Sequence, residues 1–231
     1  MTEQGITILN DVTLNSVSND GNKPVVTANG QNYTFDAVLY ATGRKPNTAN
    51  IGLENTDITT NERGAIVVND TCESSVPGVY AVGDVNGGPQ FTYISLDDFR
   101  IVFGALTGNG QYTLKDRKNI PYTTFLTPPL ARVGLIEEDA INKGYTVKTK
   151  EMLVATMPRA HVNDYLKGAF KIVVNADNDL ILGATLYSQG AEELINLIKM
   201  AMDNNIPYTY FKNQIFTHPT MAENLNDLCN F

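Results

Sequence analysis

A series of predicted strands followed by a long amphipathic helix limits the fold class of the second half of this chain. In the segment after the strands, from 190 to 204, apolar side chains recur every three or four residues, which indicates one buried helix face. The sequence NADND at 175–179 is typical of a hairpin turn between two of the strands. The strands are predicted at 130–135, 147–154, 168–175 and 181–187. An antiparallel sheet with flanking helices is an α+β domain, and we predict that class here.

The first half of the chain contains two apolar runs that each end near a glycine. Residues 37–41 (AVLYA) and 79–82 (VYAV) lack the alternation of a half-exposed strand, so both are predicted to be strands covered on both faces. Shorter extended pieces precede them, including one at 6–9, and Asn29-Gly30 is a dipeptide that hairpin turns favour.

A helix is predicted from about Ser95 to Leu106, closed by the glycines of 108–110. Its apolar side chains fall at spacings of three and four residues, which predicts one face directed to the core. The predicted core-facing residues are Leu96, Phe99, Val102, Phe103 and Leu106.

Size, charge and cysteine content exclude several classes of protein. A chain of 231 residues with 42% hydrophobic content can form one large or two smaller domains. A net charge of -8 argues against a nucleic-acid surface. No apolar run reaches the ~20 residues of a membrane span, and residues 1–5 lack the plan of a signal peptide, so we expect a cytoplasmic protein without membrane contact. Cys72 and Cys229 form no metal-ligand pattern, so we expect no metal site and two plain buried thiols.

The octet FTHPTMAE at 216–223 places a histidine directly before a proline. Proline suits the first position of a helix, so Pro219 is predicted to open one and to fix His218 at its mouth. Glu223 would then lie in the same helix, within reach of one imidazole nitrogen. Such a bond selects the tautomer and raises the basicity of the other nitrogen, as proton transfer requires. An ordinary helix-capping histidine remains the alternative at this point.

Three separated motifs resemble the C-terminal half of the pyridine nucleotide-disulfide oxidoreductases. They are ATGRKPN at 41–47, VPGVYAVGD at 76–84 and HPTMAE at 218–223. The segments at 131–135, 168–173, 181–184 and 190–195 are similar to that family's interface domain, in the same order. Within the family, residues 91–100 and 223–228 are most similar to the bacterial reactive-chlorine-resistance flavoreductases.

The resemblance implies a homodimeric flavoenzyme in which NAD(P)H reduces FAD, FAD reduces a cysteine pair, and the cysteines reduce the substrate. Gly83 and Asp84 match the family's second flavin motif, where the carboxylate accepts a hydrogen bond from the ribityl chain. Phe91 and Thr92 match positions near the isoalloxazine ring, although Tyr93 stands where many relatives carry proline.

The resemblance also assigns the acid/base pair. His218 matches the residue that protonates the leaving thiolate, in the partner subunit's active site, and Glu223 matches its orienting partner. Disulfides, hypohalous-type oxidants and metal ions all occur as substrates across relatives.

Two features of the family are missing from the sequence. No GxGxxG follows a strand, and no cysteine pair is present. We therefore interpret the chain as the C-terminal part of a longer enzyme whose N-terminal half is its missing partner. On this reading, 1–43 end the NAD(P)-binding domain and 44–116 complete the FAD-binding domain, both as partial α/β segments, and 117–231 form the dimerisation domain.

Taken alone, the fragment is expected to be inactive and empty of FAD. A non-catalytic homodimerisation or binding module that has kept the fold without the chemistry is the alternative. A hydrolase using His218 and Glu223 is a weaker reading, because no GxSxG nucleophile is present.

Overall fold

The computed structural model describes residues 5–231, and these residues form two antiparallel sheets. The first sheet has the order β1-β2-β3 and consists of β1 (Leu14–Asp20), β2 (Lys23–Ala28) and β3 (Gln31–Thr34). Asn29 and Gly30 join β2 to β3 with φ of 49° and 76°, as the hairpin signal predicted. The piece predicted at 6–9 forms no strand.

The second sheet contains five strands in the order β4-β5-β8-β7-β6, and each neighbouring pair is antiparallel. Four of these strands begin and end within two residues of the predicted bounds. The strands are β4 (Tyr122–Thr124), β5 (Leu130–Gly134), β6 (Val147–Leu153), β7 (Ala169–Asn175) and β8 (Ile181–Tyr187).

Six α-helices occur in the described residues, and one of them closes the core of the second sheet. They are α1 (Thr92–Thr107), α2 (Glu137–Asn142), α3 (Pro158–Val162), α4 (Ala191–Asp203), α5 (Tyr208–Asn213) and α6 (Asn224–Leu228). Helix α4 packs on β5 and β8 and buries Leu194, Ile195 and Ile198. Phe170 and Leu186 lie below it and are fully buried. The predicted α+β class is therefore confirmed.

The two apolar runs of the first half do not form the predicted buried strands. Residues 37–41 adopt no strand, and Leu39 and Tyr40 are 91% and 64% exposed. In the second run, Tyr80 makes a single bridge to Glu73. A strand buried on both faces needs neighbouring strands and two covering layers, and no strand within residues 5–231 lies beside either run.

The predicted core-facing stripe of α1 is also wrong, because its side chains face solvent. Leu96, Phe99, Phe103 and Leu106 are between 50% and 65% exposed. The buried face instead carries Ile94, Asp98 and Ile101. Periodicity identified an apolar face, but the face that packs within the described residues is the one toward the turn at Gly83–Asn86.

The last helix begins five residues later than predicted. Pro219 follows a cis peptide bond and lies outside the helix, and α6 starts at Asn224 with Glu223 at its N-cap. The reason is a local turn in which the Thr220 hydroxyl donates to the Thr217 carbonyl at 2.7 Å. The same hydroxyl accepts the Glu223 N–H at 3.2 Å. The Glu223 N–H is therefore bonded to a side chain and not to a carbonyl one helical turn earlier.

Candidate functional site

The imidazole of His218 is exposed, and a carboxylate holds one of its nitrogens. Nδ1 lies 2.8 Å from Oε2 of Glu223, with the two side chains 70% and 19% exposed. The hydrogen bond with His218 holds the pKa of the Glu223 carboxyl below its ordinary value, and the Thr220 N–H adds to this effect. An ionised carboxylate accepts a hydrogen bond from Nδ1–H, which leaves Nε2 as the nitrogen that can take up a proton. The pairing that the octet predicted is present, although the two residues do not share a helix.

A reciprocal pair of hydrogen bonds with Thr220, in the turn before α6, orients the Glu223 carboxylate. Its Oε1 accepts the backbone N–H of Thr220 at 3.1 Å, while the Glu223 N–H bonds the Thr220 hydroxyl. One carboxylate oxygen is therefore fixed by the backbone and the other by the imidazole. Sequence reasoning did not single out Thr220, although the T-x-x-E spacing at 220–223 is the usual signal for this arrangement.

Hydrogen bonds from Asn226 and Lys150 hold the elements on either side of the His218 loop. Asn226 of α6 donates to the carbonyls of Phe211 at 2.6 Å and Gln214 at 2.9 Å, which ties the end of α5 to α6. Lys150 of β6 donates to the Asp227 carbonyl at 2.7 Å near the other end of α6. The exposed imidazole thus projects from a short segment that is anchored at both ends.

The four residues predicted to contact a cofactor line one open pocket of about 660 Å³. They are Gly83, Asp84, Phe91 and Thr92, and they are joined there by Arg44, Val82, Gln90 and Ser95. The Asp84 carboxylate is 46% exposed and lies 3.8 Å from Nη1 of Arg44. It is therefore an accessible acceptor with a guanidinium beside it.

The position of Gly83 requires a residue without a side chain. Its φ is +71°, and a Cβ there would lie 2.6 Å from the Ser95 hydroxyl oxygen. The missing side chain lets α1 approach the turn that presents Asp84. A close backbone approach and an exposed carboxylate fit a ligand with hydroxyl groups, such as the ribityl chain of a flavin.

Aromatic rings connect this pocket to the second sheet. The rings of Phe91 and Tyr93 stack at 5.3 Å between centroids, and Phe91 lies 6.1 Å from Tyr122 of β4. The Tyr93 hydroxyl donates to the Pro121 carbonyl, a bond that proline at position 93 could not make. Tyr93 therefore fixes the start of α1 against the start of β4.

Two protein-family models match the chain in succession. The first is described as pyridine nucleotide-disulphide oxidoreductase and matches residues 1–98. The second is the pyridine nucleotide-disulphide oxidoreductase dimerisation domain and matches residues 120–229. The chain belongs to the pyridine nucleotide-disulphide oxidoreductases. The resemblance on which the sequence analysis relied is thereby confirmed.

Individual members of the pyridine nucleotide-disulphide oxidoreductases match over almost the entire chain. The probable pyridine nucleotide-disulfide oxidoreductase RclA of Escherichia coli is 44% identical over 98% of this chain and 51% of its own length. A mercuric reductase of Staphylococcus aureus is 35% identical over 97% of this chain and 42% of its own. The solved HOCl-induced flavoprotein disulfide reductase RclA of Escherichia coli superposes with a TM-score of 0.94 at 43% identity, over 99% of this chain and 52% of that one. The chain thus spans about half the length of the curated relatives it matches.

The two cysteines of this pyridine nucleotide-disulphide oxidoreductase chain are free and buried, as predicted. Burial raises the pKa of the Cys72 thiol to about 11, and Asp98 nearby adds to the effect. Burial likewise raises the pKa of the Cys229 thiol to about 12. The thiolate is the reactive form of cysteine, so neither residue has the low pKa of a redox-active thiol.

We expect both thiols to resist an aromatic disulfide reagent in the folded chain at pH 7. The raised pKa of each thiol lowers its thiolate fraction at pH 7, and burial blocks access as well. The measurement is the rate of thionitrobenzoate release with and without denaturant, with Cys72→Ser and Cys229→Ser each tested alone. Rapid labelling of the native protein would contradict this prediction.

His161 lies on the surface, as predicted. Its Nε2 is 2.8 Å from the Ala155 carbonyl oxygen, in the turn before α3. Within residues 5–231, helices long and apolar enough to cross a membrane are absent.

Proposed function

We propose that this chain supplies the dimerisation domain and the acid/base pair of an FAD- and NAD(P)H-dependent disulfide oxidoreductase. The observation that carries the proposal is the bond of 2.8 Å between His218 and Glu223 on an exposed loop. It lies in a chain whose two halves match consecutive domain models of one enzyme family. The N-terminal half of the same enzyme would complete the active site.

The chain's own residues have separate tasks in this proposal. Gly83 and Asp84 would hold the ribityl chain of FAD, and Phe91 and Thr92 would line the side toward its ring. FAD, when bound, would pass electrons from NAD(P)H to a cysteine pair. The His218 imidazolium, stabilised by Glu223, would give its Nε2 proton to the leaving thiolate and become the neutral ring, which regains a proton from solvent or, in the reverse direction, from the substrate thiol.

The proposed oligomer is a homodimer in which His218 serves the active site of the partner subunit. Support comes from the match of 120–229 to a dimerisation domain and from the exposure of the His218 ring. An imidazole that faces solvent on its own subunit is available to a substrate bound at a subunit boundary. Ile215, close by in the sequence, is 94% exposed and would be covered by the same boundary.

We divide the chain into the end of an NAD(P)-binding domain (1–43), part of an FAD-binding domain (44–116) and a dimerisation domain (117–231). The first four residues lie outside the described part of the chain. The proposed substrate is a disulfide or a related oxidant, in line with the names of the relatives above, and metal ions are the third class to test. The cytoplasmic location expected from the sequence stays a prediction.

The experiment compares the chain alone with the chain joined to the N-terminal half of the proposed enzyme. Alone, we expect no oxidation of NAD(P)H and no flavin after gel filtration, because the dinucleotide fingerprints are absent from these residues. Joined to its N-terminal half, we expect a yellow dimer that oxidises NAD(P)H with a disulfide acceptor. Turnover by the chain alone, or a joined enzyme without flavin, would contradict the proposal.

A further inference from the structure

A buried carboxylate on α1 holds the turn that presents the proposed cofactor residues. Asp98 is completely buried, and both of its oxygens have partners. Its Oδ2 accepts the backbone N–H of Gly83 at 2.7 Å and the side-chain amide of Asn86 at 2.9 Å. One oxygen of Asp98 is therefore committed to the turn at 83–86.

The other oxygen of Asp98 faces a guanidinium. Nη2 of Arg117 donates to Oδ1 of Asp98, and Nε of Arg117 donates to Oδ2 of Asp97 at 2.7 Å. The Arg117 side chain is 10% exposed, so this fork is largely withdrawn from water. Arg117 lies four residues before Pro121, where the chain enters β4. It therefore joins the start of the second sheet to the helix that supports the pocket.

The turn held by Asp98 has other hydrogen bonds as well. Asn86 Nδ2 also donates to the Ala81 carbonyl at 3.3 Å, and Asn86 Oδ1 accepts the Gly88 N–H at 3.0 Å. The Val85 carbonyl accepts the Ile66 N–H at 2.9 Å. The backbone N–H of Gly83, a residue with a φ of +71°, bonds Asp98 itself, so Asp98 restrains the residue directly before Asp84.

We propose that Asp98, held by Arg117, is a positioning residue for the cofactor pocket at Gly83 and Asp84. This inference rests on the proposed function, because the ligand it concerns is FAD. Buried ion pairs often add little net stability when they are compared with apolar residues of similar volume. A bond between a charged acceptor and one specific backbone N–H has a different effect, because it fixes the position of that amide and of the residue after it.

The chain offers a matched control for this proposal. Asp97 is the neighbour of Asp98 and shares Arg117, but within residues 5–231 it accepts hydrogen bonds from Arg117 and from the Tyr112 hydroxyl, and not from the turn at Gly83. Asp98→Asn removes the charge next to Gly83 with little change in volume, and Asp97→Asn removes a charge from the same ion pair. Arg117→Lys keeps the charge but loses the fork.

The first measurement follows the Gly83 amide of this 231-residue chain by NMR. An N–H bonded to a carboxylate resonates downfield, so Asp98→Asn should move the Gly83 proton upfield and Asp97→Asn should leave it in place. The second measurement is the dissociation constant of FAD from the enzyme with its N-terminal half. We expect Asp98→Asn to raise it about 10-fold or more, the usual weight of a hydrogen bond to a charged group, and Asp97→Asn to raise it much less.

The outcomes separate this inference from the proposed function. If the wild-type enzyme with its N-terminal half binds no FAD, the proposed function fails. If it binds FAD and the two Asn variants bind with equal constants, or the Gly83 amide does not respond, the positioning role is wrong. Should Asp98→Asn not fold, Arg117→Lys decides: we expect weaker FAD binding than in wild type, and an unchanged constant overturns the inference.

Discussion

Replacing His218 with alanine is expected to lower disulfide reduction by about 10²–10⁴-fold in the enzyme with its N-terminal half. The physical reason is the loss of the proton donor and acceptor at Nε2, which the 2.8 Å contact between Nδ1 and Glu223 holds in place. Steady-state oxidation of NAD(P)H with a disulfide acceptor measures the loss. Flavin reduction by NAD(P)H, followed by stopped flow, should keep its rate because this step does not require the imidazole proton.

His161→Ala is the matched control for this experiment. Its ring is exposed and contacts the Ala155 carbonyl in the turn before α3, so its loss should leave turnover unchanged. The turnover of Glu223→Gln should fall between those of the two alanine variants. A neutral amide can accept a hydrogen bond from Nδ1–H but cannot stabilise the imidazolium by its charge. If His218→Ala has the turnover of wild type, the chain acts as a non-catalytic dimerisation module.

Replacing Phe170 with alanine is expected to lower the free energy of unfolding by about 3–5 kcal/mol. Phe170 lies on β7, is 0% exposed, and belongs to the core between the five-stranded sheet and α4. Its removal takes the transfer free energy of a phenyl ring and leaves a cavity that the sheet cannot close. Urea denaturation followed by circular dichroism, with a constant slope against denaturant, measures the change.

Phe125→Ala is the control for the core substitution, because that ring is 78% exposed between β4 and β5. We expect its effect on the free energy of unfolding to stay within about 0.5 kcal/mol. A similar loss of stability for both variants would show that Phe170 is not at the centre of the core.

The sequence was sufficient for the parts of the fold whose partners lie within a short span of chain. Strands β7 and β8 join through a five-residue turn, and α4 follows closely, so periodicity and turn residues predicted all three within one residue. Periodicity shows which side chains need burial, but it does not show what buries them. For that reason the run at 37–41 and the stripe on α1 were read correctly as apolar and wrongly as covered.

The candidate site was partly predictable for the same reason. His218 and Glu223 are five residues apart, so their contact followed from local geometry, and only the start of the helix was misplaced. The contacts of Asp98 with Gly83 and Arg117 span 15 and 19 residues. No local spacing rule connects such pairs, because a helix and a change of chain direction lie between them.

The solvated apolar face of α1 also bears on how this polypeptide behaves during synthesis and purification. Two phenyl rings, Phe99 and Phe103, lie 5.7 Å apart on that face, with leucines one turn away on either side. Contiguous apolar surface of this kind favours contact with any other apolar surface. Until another surface covers this face, we therefore expect the chain to bind chaperones and to aggregate at high concentration.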